Sequence, residues 1–235
     1  MFFKKRMYTL CVLLLWLPIT AFSQFNIKIG YTGGYTQASV MNSIIDQFNY
    51  DFNAKYNGTL DELQDRVKIL NGLEVGVRYK FSNVGFELNW NSLSDKSDAY
   101  GALASGARIQ SKWYTSLTQY ALGVENYFGN FGYGASIGYR TVRVKTAIEG
   151  VQRKKSDVLT ESGFTSKFYL LYEIPGEIVS LAIKPYIEVP LKDTNISSFN
   201  QRLYNQVDKS YISPQPIYER FMLYGISVIL YNGPQ

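Results

Sequence analysis

Two alternating segments on either side of the dipeptide Ser82-Asn83 constrain the fold of this chain most. From Leu73 to Phe81, apolar side chains take every second position, and the same alternation resumes from Val84 to Trp90. The polar positions in the two segments include charged residues, among them Glu74, Arg78, Lys80 and Glu87. Because a period of two places alternate side chains on opposite faces of a strand, the region predicts a β-hairpin with one apolar and one charged face.

Six further segments alternate in the same way, so the chain is predicted to contain eight strands. The predicted strands are residues 25–36, 72–81, 84–93, 113–128, 131–145, 163–174, 179–191 and 217–231. Pro185 lies inside the seventh strand and predicts a bulge or a gap in its hydrogen-bond ladder. In the eighth strand, Gly225 and Ser227 are expected to face inward, and the alternate apolar residues outward.

The connections between these strands alternate between short and long. Tight turns are predicted near Asn83, Asn130 and Pro175, and long connections at residues 37–71, 94–112, 146–162 and 192–216. Outer-membrane barrels combine short turns at one end with long loops at the other, and an even strand count lets the last strand close on the first. We therefore predict an all-β fold, an eight-stranded antiparallel up-and-down transmembrane β-barrel over residues 24–235, with apolar faces toward lipid and charged faces toward the lumen.

The first long connection carries two helical patterns. One runs from Ser39 to Phe48, and the other from Leu60 to Leu70, where Leu63, Val67 and Leu70 would share one face. Thr59 and Glu62 have the spacing of a capping box in front of the second helix. A helical first extracellular loop is therefore predicted, which either caps the barrel or binds a partner.

The N-terminus has the features of a secretory signal peptide over residues 1–23. Lys4, Lys5 and Arg6 precede an apolar run, and a small-residue site ends at Ser23. The run is too short for a transmembrane helix, and the position of Cys11 within it disfavours lipid attachment. Removal of the three basic residues lowers the formal charge from +5 to +2, so the basic balance is no argument for nucleic acid.

The rest of the composition agrees with a membrane barrel. The mean hydropathy of −0.13 leaves no long apolar span after the N-terminus, which argues against a helical membrane protein. Aromatic residues make up 16 %, and 20 of them are Tyr, which suits the aromatic belts at membrane interfaces. Because Cys11 is the only cysteine, the mature chain would contain no disulfide and no thiolate metal site.

In strand count, turns and loops the chain resembles the small OmpA/OmpX-type outer-membrane barrels. Its Tyr-rich first strand and helical first loop are similar to the "outer membrane protein beta-barrel" group of Bacteroidota. The resemblance implies a cell outer-membrane protein with extracellular long loops and a periplasmic N-terminus. It rests on pattern alone, so it carries over no functional residue.

The charged faces of the predicted strands form the main candidate site, a charge network in the lumen. A barrel of eight strands has room only for its own side chains, so we expect these charges to pair and fill the interior. The alternative is an ion or solute pathway. The network comprises Lys28, Glu74, Arg78, Lys80, Glu87, Glu125, Arg140, Lys167, Glu173, Lys184 and Glu188.

Catalysis is not expected. The chain contains no histidine, which removes Ser-His-Asp chemistry and the usual zinc ligand. Carboxylate-only catalysis remains open, but nothing places two glutamates beside a cleft. We predict a protein that is not an enzyme and that binds no cofactor and no metal.

Two basic residues extend the outward face of the fifth strand. Arg143 and Lys145 are predicted to meet phosphates of lipopolysaccharide at the outer-leaflet headgroups. The run from Arg153 to Lys155 is interpreted as part of a solvated loop. Outer-membrane lipid and lipopolysaccharide are thus the predicted partners, with an envelope protein as a possible partner of the extracellular loops.

The sequence therefore predicts an integral outer-membrane barrel with a charge-plugged lumen, acting as a structural or surface-interaction protein or as an accessory subunit of an envelope complex. One alternative is a narrow, porin-like channel. Another is a soluble periplasmic barrel of lipocalin type, which would place apolar residues inside instead of charges.

Overall fold

Eight long antiparallel strands dominate the structure, a computed structural model that describes residues 25–148 and 155–232. The predicted signal peptide, residues 1–23, lies outside the described residues. The elements are β1 (Phe25–Gln37), α1 (Ser39–Ala54), β2 (Thr59–Glu62), β3 (Ile69–Phe81), β4 (Val84–Ala102), β5 (Arg108–Phe128), β6 (Phe131–Ile148), β7 (Ser156–Ile174), β8 (Val179–Pro190), β9 (Thr194–Asn195), α2 (Ser197–Tyr204), β10 (Tyr218–Glu219) and β11 (Met222–Asn232).

The eight long strands form a closed ring in the order β1-β3-β4-β5-β6-β7-β8-β11. Closure comes from antiparallel pairing of the first strand with the last, in which Ile29 lies opposite Leu230. The short strand β2 adds to the end of β4, and β9 pairs with β10 outside the ring. The predicted architecture, a closed antiparallel barrel of eight strands with a helix after the first strand, is confirmed by this pairing.

The strands are staggered around the barrel. Partners traced from Phe164 in β7 through β6, β5, β4, β3, β1, β11 and β8 lead back to β7 at Ile174, ten residues further along the strand. A stagger of this size in a small barrel requires strands tilted by about 40° from the barrel axis. The interior is then only wide enough for the side chains of the strands themselves.

The outside of the barrel carries a continuous apolar band. Phe86, Leu88, Leu122 and Ile137 each have more than half of their surface exposed, and the residues between them point inward. Within the described residues, no helix is long and apolar enough to span a membrane.

Strands β4 to β7 continue well past this band, which corrects two predicted loops. Residues 94–112 and much of 146–162 were expected to be connections, but β4 and β5 pair continuously from Val84 opposite Asn126 to Ala102 opposite Arg108. Strand β7 likewise begins at Ser156 rather than at Gly163. The four strands form a tall wall on one side of the ring, whereas β8, β11, β1 and β3 are only 11 to 13 residues long.

The apolar face changes sides where the wall rises above the band. In β4, Trp90 points outward, but Leu93 and Ala99 point inward and are buried. The same inversion occurs in β6 between Tyr139, which is exposed, and Val142, which is buried. The inner side of the tall wall is consequently a hydrophobic core instead of a charged lumen.

Helix α1 packs on this core through one face. Its buried residues Met41, Ile45, Phe48 and Phe52 follow helical spacing, so the predicted helix is confirmed, and it continues beyond Phe48 to Ala54. The shorter helix α2 covers the same core, with the ring of Phe199 packed edge-on against Trp113 at 5.1 Å. The two helices together close the upper end of the barrel. We use the name lid for these two helices and residues 63–68.

The second predicted helix, Leu60 to Leu70, is wrong. Residues 59–62 form β2, residues 63–68 belong to no helix or strand, and Ile69 already belongs to β3. Two asparagines of α1 hold this segment: Asn42 donates to the carbonyl of Val67 and accepts its N–H, both at 2.9 Å, and Asn49 does the same for Gln64 at 3.0 Å. Because these side chains satisfy backbone groups outside a helix, the helical spacing of Leu63, Val67 and Leu70 does not decide the conformation.

Pro185 interrupts a ladder without shifting it. Pairing of β8 with β7 is recorded at Tyr186 opposite Tyr169 and again at Ile183 opposite Tyr172, in an unchanged register. On its other side, Pro185 lies opposite Ile226 of β11. A bulge or a gap was expected at Pro185, and the structure has a gap in the hydrogen-bond ladder without a bulge.

Candidate functional site

The centre of the barrel holds a cluster of two lysines and three glutamates. The Nζ of Lys28 lies 2.8 Å from carboxylate oxygens of both Glu74 and Glu87. The Nζ of Lys184 lies 3.0 Å from Glu87 and also pairs with Glu125. All five residues are buried, so the charges compensate one another in an environment that water does not screen.

The end of the barrel nearest the tight turns is organised around Arg78. Its Nη1 lies 2.8 Å from Glu173, and it donates to the hydroxyl of Tyr127 at 2.9 Å. The guanidinium carbon stacks over the ring of Tyr231 at 3.7 Å. Lys80, at 3.7 Å from Glu173, is the one predicted member that is partly exposed, with 23 % of its side chain accessible at this mouth.

The upper end is organised around Arg140. Its Nη1 pairs with Glu188 at 3.0 Å, and its Nη2 donates to the backbone carbonyl of Phe221 at 2.9 Å. Phe221 is fully buried in the hydrophobic core beneath the lid. Arg140 therefore joins the charged interior to the apolar layer above it.

Several ion pairs connect strands that are not neighbours in the ring. Lys184 of β8 reaches Glu125 of β5, and Arg78 of β3 reaches Glu173 of β7 on the opposite wall. Lys167 of β7 lies 3.5 Å from Glu74 of β3. These side chains therefore cross the lumen rather than line it. The structure places every predicted member of the network on the inner face.

Tyrosines complete the network, and they are not among its members predicted from the sequence. Tyr169 donates to Glu87 at 2.6 Å, and Tyr127 donates to Glu125. Glycines opposite these rings make room for them: a Cβ on Gly134 would lie 2.5 Å from the ring of Tyr169. Their position in the sequence could have indicated them: Tyr127 stands two positions after Glu125 and therefore lies on the same face of the strand.

The lid is attached to the barrel through Glu219, which precedes β11. Its carboxylate accepts the backbone N–H of Met41 at 2.8 Å in the first turn of α1. Burial raises the pKa of Glu219, and the hydrogen bonds from backbone N–H groups only partly oppose this effect. On the other side of the lid, burial and a hydrogen bond to Asp51 at 3.0 Å raise the pKa of Tyr204.

The chemistry available to the described residues is that of carboxylates, amines and hydroxyls. In residues 25–148 and 155–232, no group of three or more Asp or Glu side chains is arranged to hold a metal ion. The glutamates inside the barrel are engaged by lysine, arginine or tyrosine side chains, and Glu219 by backbone N–H groups.

The outer face of the tall wall is ordered in rows of paired residues. The lowest row, at the upper edge of the apolar band, is aromatic and consists of Trp90, Tyr120, Tyr139 and Phe164. Two rows above it carry hydroxyl side chains and one arginine. We call them the hydroxyl rows, and they consist of Ser92, Thr118, Thr141 and Ser162, and of Ser94, Ser116, Arg143 and Thr160.

Arg143 and Lys145 both lie on this outer face. Arg143 is exposed in the second hydroxyl row, and Lys145 stands one row higher, 3.5 Å from Asp157. Of the predicted basic loop, Arg153 and Lys154 lie outside the described residues, and the Nζ of Lys155 stacks over Tyr114 at 3.6 Å.

Below the rows, the apolar band is indented. The indentation is an open groove of about 1160 Å³ that extends across β4 to β7 and includes Phe25 of β1 and Val77 of β3. Two small residues that point outward, Ala135 and Ser166, lie at its base, and large side chains such as Ile137 and Phe168 surround them. We call this indentation the waist groove.

No protein-family model matches the chain, and no curated protein matches it. Among solved structures, the chain is similar to the attachment invasion locus protein Ail of Yersinia pestis, in a crystal structure with the heparin analogue sucrose octasulfate. Identity is 10 % and the TM-score is 0.46, over 87 % of this chain and 97 % of that chain.

Two other solved structures give similar values. Neisserial surface protein A (NspA) has 8 % identity and a TM-score of 0.44, over 89 % of this chain and 96 % of that chain. The outer membrane protein OprG from Pseudomonas aeruginosa has 10 % identity and a TM-score of 0.41, over 87 % and 94 %. The fold assignment rests on the strand pairing of this chain, and the Bacteroidota group stays a prediction.

Proposed function

We propose that the protein is an integral outer-membrane barrel whose lumen is plugged by its own charges, and that it acts as a structural or surface-interaction protein or as an accessory subunit of an envelope complex. It acts without catalysis and without a cofactor. The observation that carries the proposal is the combination of an apolar exterior with ion pairs that cross the interior between opposite walls.

The outside supports membrane insertion. A closed ring leaves no unpaired backbone edge in lipid, and the exposed band of apolar side chains is the surface that lipid would cover. The tight turns would then face the periplasm together with the N-terminus, and the tall wall and lid would face the exterior of the cell. A lipocalin-type barrel is disfavoured because its interior would be apolar.

The interior supports a plug. Lys184 and Arg78 each span from one wall to another, and the lid covers the upper end with a hydrophobic core. A permeating ion would have to separate several buried ion pairs, each of which is costly to break.

Planar-bilayer conductance tests this proposal against the channel alternative. The purified protein should insert without stable conductance steps, while a porin in the same bilayer serves as the positive control. Regular ohmic steps from the wild-type protein would establish a pore and overturn the plug. Insertion itself is checked by heat-modifiable migration on a gel after detergent extraction.

The partner proposals concern the upper surface. Arg143 and Lys145 stand just above the aromatic row, at the height where outer-leaflet phosphates would lie, and we propose lipopolysaccharide as their partner. An envelope protein is the proposed partner of the extracellular loops. Reversal of both charges should lower the amount of lipopolysaccharide that co-purifies with the barrel.

A further inference from the structure

A small cavity lies beneath the lid, where residues 63–68 meet the inner side of the tall wall. Its volume is about 10 Å³, which is room for one water-sized sphere. Residues of the hydrophobic core, among them Met41 and Trp113, line part of it. The other lining residues carry oxygen atoms in their side chains, and they are Gln64, Asp65, Asp95, Ser97 and Thr115.

Gln64 has an unsatisfied oxygen at this cavity. The residue is buried, with 3 % of its surface exposed, and its Nε2 donates to the hydroxyl of Ser97. That hydroxyl donates in turn to the backbone carbonyl of Asp65 at 3.0 Å. The Oε1 of Gln64 has no hydrogen-bond partner among the described residues. Because a buried acceptor without a partner is costly, we expect a group inside the cavity to satisfy it.

Two carboxylates at the cavity, those of Asp65 and Asp95, form no ion pair with a basic side chain in residues 25–148 and 155–232. Their basic neighbours in the sequence, Arg66 and Lys96, pair with other aspartates. Burial raises the pKa of Asp95, the backbone N–H of Lys96 opposes this effect, and the negative charge of Asp65 raises the pKa further. The two carboxylates therefore repel each other in a partly buried place, and a cation between them would remove the repulsion.

We propose that this cavity is a binding site for one calcium ion, which joins the lid to the tall wall. The protein ligands are the carboxylates of Asp65 and Asp95 and the Oε1 of Gln64. The hydroxyl of Thr115 and water molecules complete the coordination shell. The two carboxylates balance the charge of the divalent ion, and the unpaired Oε1 gains a partner. The inference goes beyond the proposed function and does not depend on whether the lumen conducts.

The chemistry of the ligands favours calcium over other metals. All of them are oxygen atoms, and the chain has no histidine and a single cysteine, Cys11, so zinc and copper lack their usual ligands. Calcium accepts carboxylate, amide and water oxygens at about 2.3–2.6 Å in flexible geometries. These distances are shorter than hydrogen bonds between oxygens, so a space for one water molecule also accommodates the ion. Magnesium keeps several water molecules and needs octahedral geometry, for which the cavity is too small.

The backbone that carries the ligands is fixed on both sides of the cavity. On the lid, Asn49 donates to the carbonyl of Gln64 and accepts its N–H, both at 3.0 Å. On the wall, Asp95 lies opposite Thr115 in the continuous ladder between β4 and β5. An ion bound between these groups would tie residues 63–68 to two strands of the barrel, and it would thereby stabilise the closed lid.

This inference departs from the prediction that the chain binds no metal. The ligands come from two segments of the chain, and 32 positions separate Asp65 from Ser97. Neither segment has the ligand spacing of a metal-binding loop by itself. Only the contact between the lid and the wall brings the oxygen atoms together.

Calcium titration of the full exported chain would test the inference, in nonionic micelles free of lipopolysaccharide. The reporter is the fluorescence of Trp113, which lines the cavity, in a Trp90→Phe background that removes the tryptophan on the outer face. We expect a saturable single-site change with a Kd of about 0.1 to 1 mM, the range of extracellular calcium modules. Magnesium should bind at least tenfold more weakly.

Two site variants and two matched controls locate the ion. Asp65→Asn and Asp95→Asn each remove one carboxylate at nearly constant volume and should each weaken calcium binding at least tenfold. Asp61→Asn, exposed on β2, and Asp98→Asn, on the outward face of β4, should bind calcium as the wild type does. Calcium at about 5 mM should slow amide exchange in residues 63–68 by roughly tenfold in the wild type and the controls, but not in the site variants.

Each outcome decides the matter. The absence of a saturable change up to about 10 mM calcium would assign the cavity to a water molecule and overturn the site. Binding that survives both site variants, or equal affinity for magnesium, would overturn it as well. Heat-modifiable migration confirms that each variant is folded, and Asp65→Asn, at an exposed position, keeps the test open if Asp95→Asn does not fold. A wild-type protein without that migration would count against the proposed membrane barrel instead.

Discussion

Single residues inside the barrel are each held by several partners, and Lys184 shows this most clearly. Its ammonium group contacts Glu87 at 3.0 Å and also Glu125, and it lies over the rings of Tyr169 and Tyr231 at 4.9 and 5.6 Å. Removing one charge from such a set leaves the others buried without compensation, which costs more than the pair itself contributes.

Lys184→Met should therefore destabilise the protein by about 3 kcal/mol, since the buried carboxylates lose a shared cation while the volume of the side chain is nearly kept. The measurement is urea unfolding of the barrel in lipid vesicles. The control is Lys96→Met, which removes a half-exposed partner of Asp98 and should cost less than about 1 kcal/mol. Equal losses in the two variants would contradict a compact ionic core.

Glu219 predicts a pH dependence of the lid. Because burial raises its pKa above the ordinary 4.5, the folded lid binds this proton more tightly than the open chain does. Stability contributed by the protonated group is complete below pH 4.5 and is lost as the pH rises through the raised value. The free energy of lid opening should therefore fall over that window.

Hydrogen exchange of the α1 amides, corrected for intrinsic rates, measures this free energy. In Glu219→Gln the fall with rising pH should disappear, because the amide does not titrate. Glu62→Gln, a change at an exposed glutamate of β2, should keep the wild-type slope. If Glu219→Gln also keeps the full slope, another group controls the lid.

At the scale of elements, asparagine side chains of α1 hold the chain segment that follows the helix. They bond to the backbone of that segment, as the backbone of a neighbouring strand would. Asn42 and Asn49 are seven residues apart, so they lie on one face of the helix two turns apart. Each exchanges two hydrogen bonds with the backbone of residues 64 or 67, and Arg66 adds a bidentate contact to Asp46 at 2.7 Å.

The double variant Asn42→Ala with Asn49→Ala should loosen the lid by about 2 to 4 kcal/mol, at about 1 kcal/mol for each hydrogen bond lost. Hydrogen exchange should show the loss in α1 and in residues 63–68, with the barrel strands unchanged. Ser43→Ala removes only an exposed bond to the carbonyl of Ser39 and should stay within about 0.5 kcal/mol of the wild type. Loss of protection in β1 and β3 as well would mean that the lid and barrel unfold together.

The elements also show how far the sequence alone can be read. All eight strands and α1 follow from periodicity, because each strand has one face toward the apolar exterior and one toward the interior. The upper parts of β4 and β7, residues 94–102 and 156–162, were missed because the apolar side of each strand turns inward there, at Leu93 and Leu159, which looks like the end of a strand. In each strand the apolar residues change from one face to the other with no turn residue at the change. This signal would have predicted that the strand continues.

The candidate site was predictable to the same extent. Parity placed Lys28, Glu74 and the other charges on the inner face, but the partner of each depends on the stagger of the barrel. A stagger of ten residues brings Arg78 opposite Glu173, 95 positions later in the chain, and no local pattern encodes that offset. The non-helical form of residues 63–68 was missed for a similar reason, since it depends on contacts with α1.

For the whole molecule, the position of the apolar band predicts how the destabilisation caused by an introduced charge depends on its depth in the bilayer. Val124 lies outward near the middle of the band on β5, between Tyr120 and Phe128, whereas Ser94 lies above the aromatic row. Val124→Arg should destabilise the protein in a bilayer by about 2 to 4 kcal/mol, and Ser94→Arg by about 0 to 1 kcal/mol.

Urea titration of folding into phospholipid vesicles compares the two variants. Vesicles with thinner bilayers should reduce the cost of Val124→Arg, because the charge then lies nearer to water. Similar costs for the two arginines would contradict insertion of this band in lipid.

The pairing of β1 with β11 also determines when the ring of eight strands can close. Until β11, the last of the eight strands, arrives, β1 and β8 each present an unpaired edge, and such an edge cannot be satisfied in hydrocarbon. The stacking of Arg78 on Tyr231 and the hydrogen bond from Ser227 to Glu74 at 3.2 Å form at the same moment. Biogenesis of the barrel is therefore timed by its C-terminal strand, and a chain interrupted before Met222 should leave no stable partial product in the membrane.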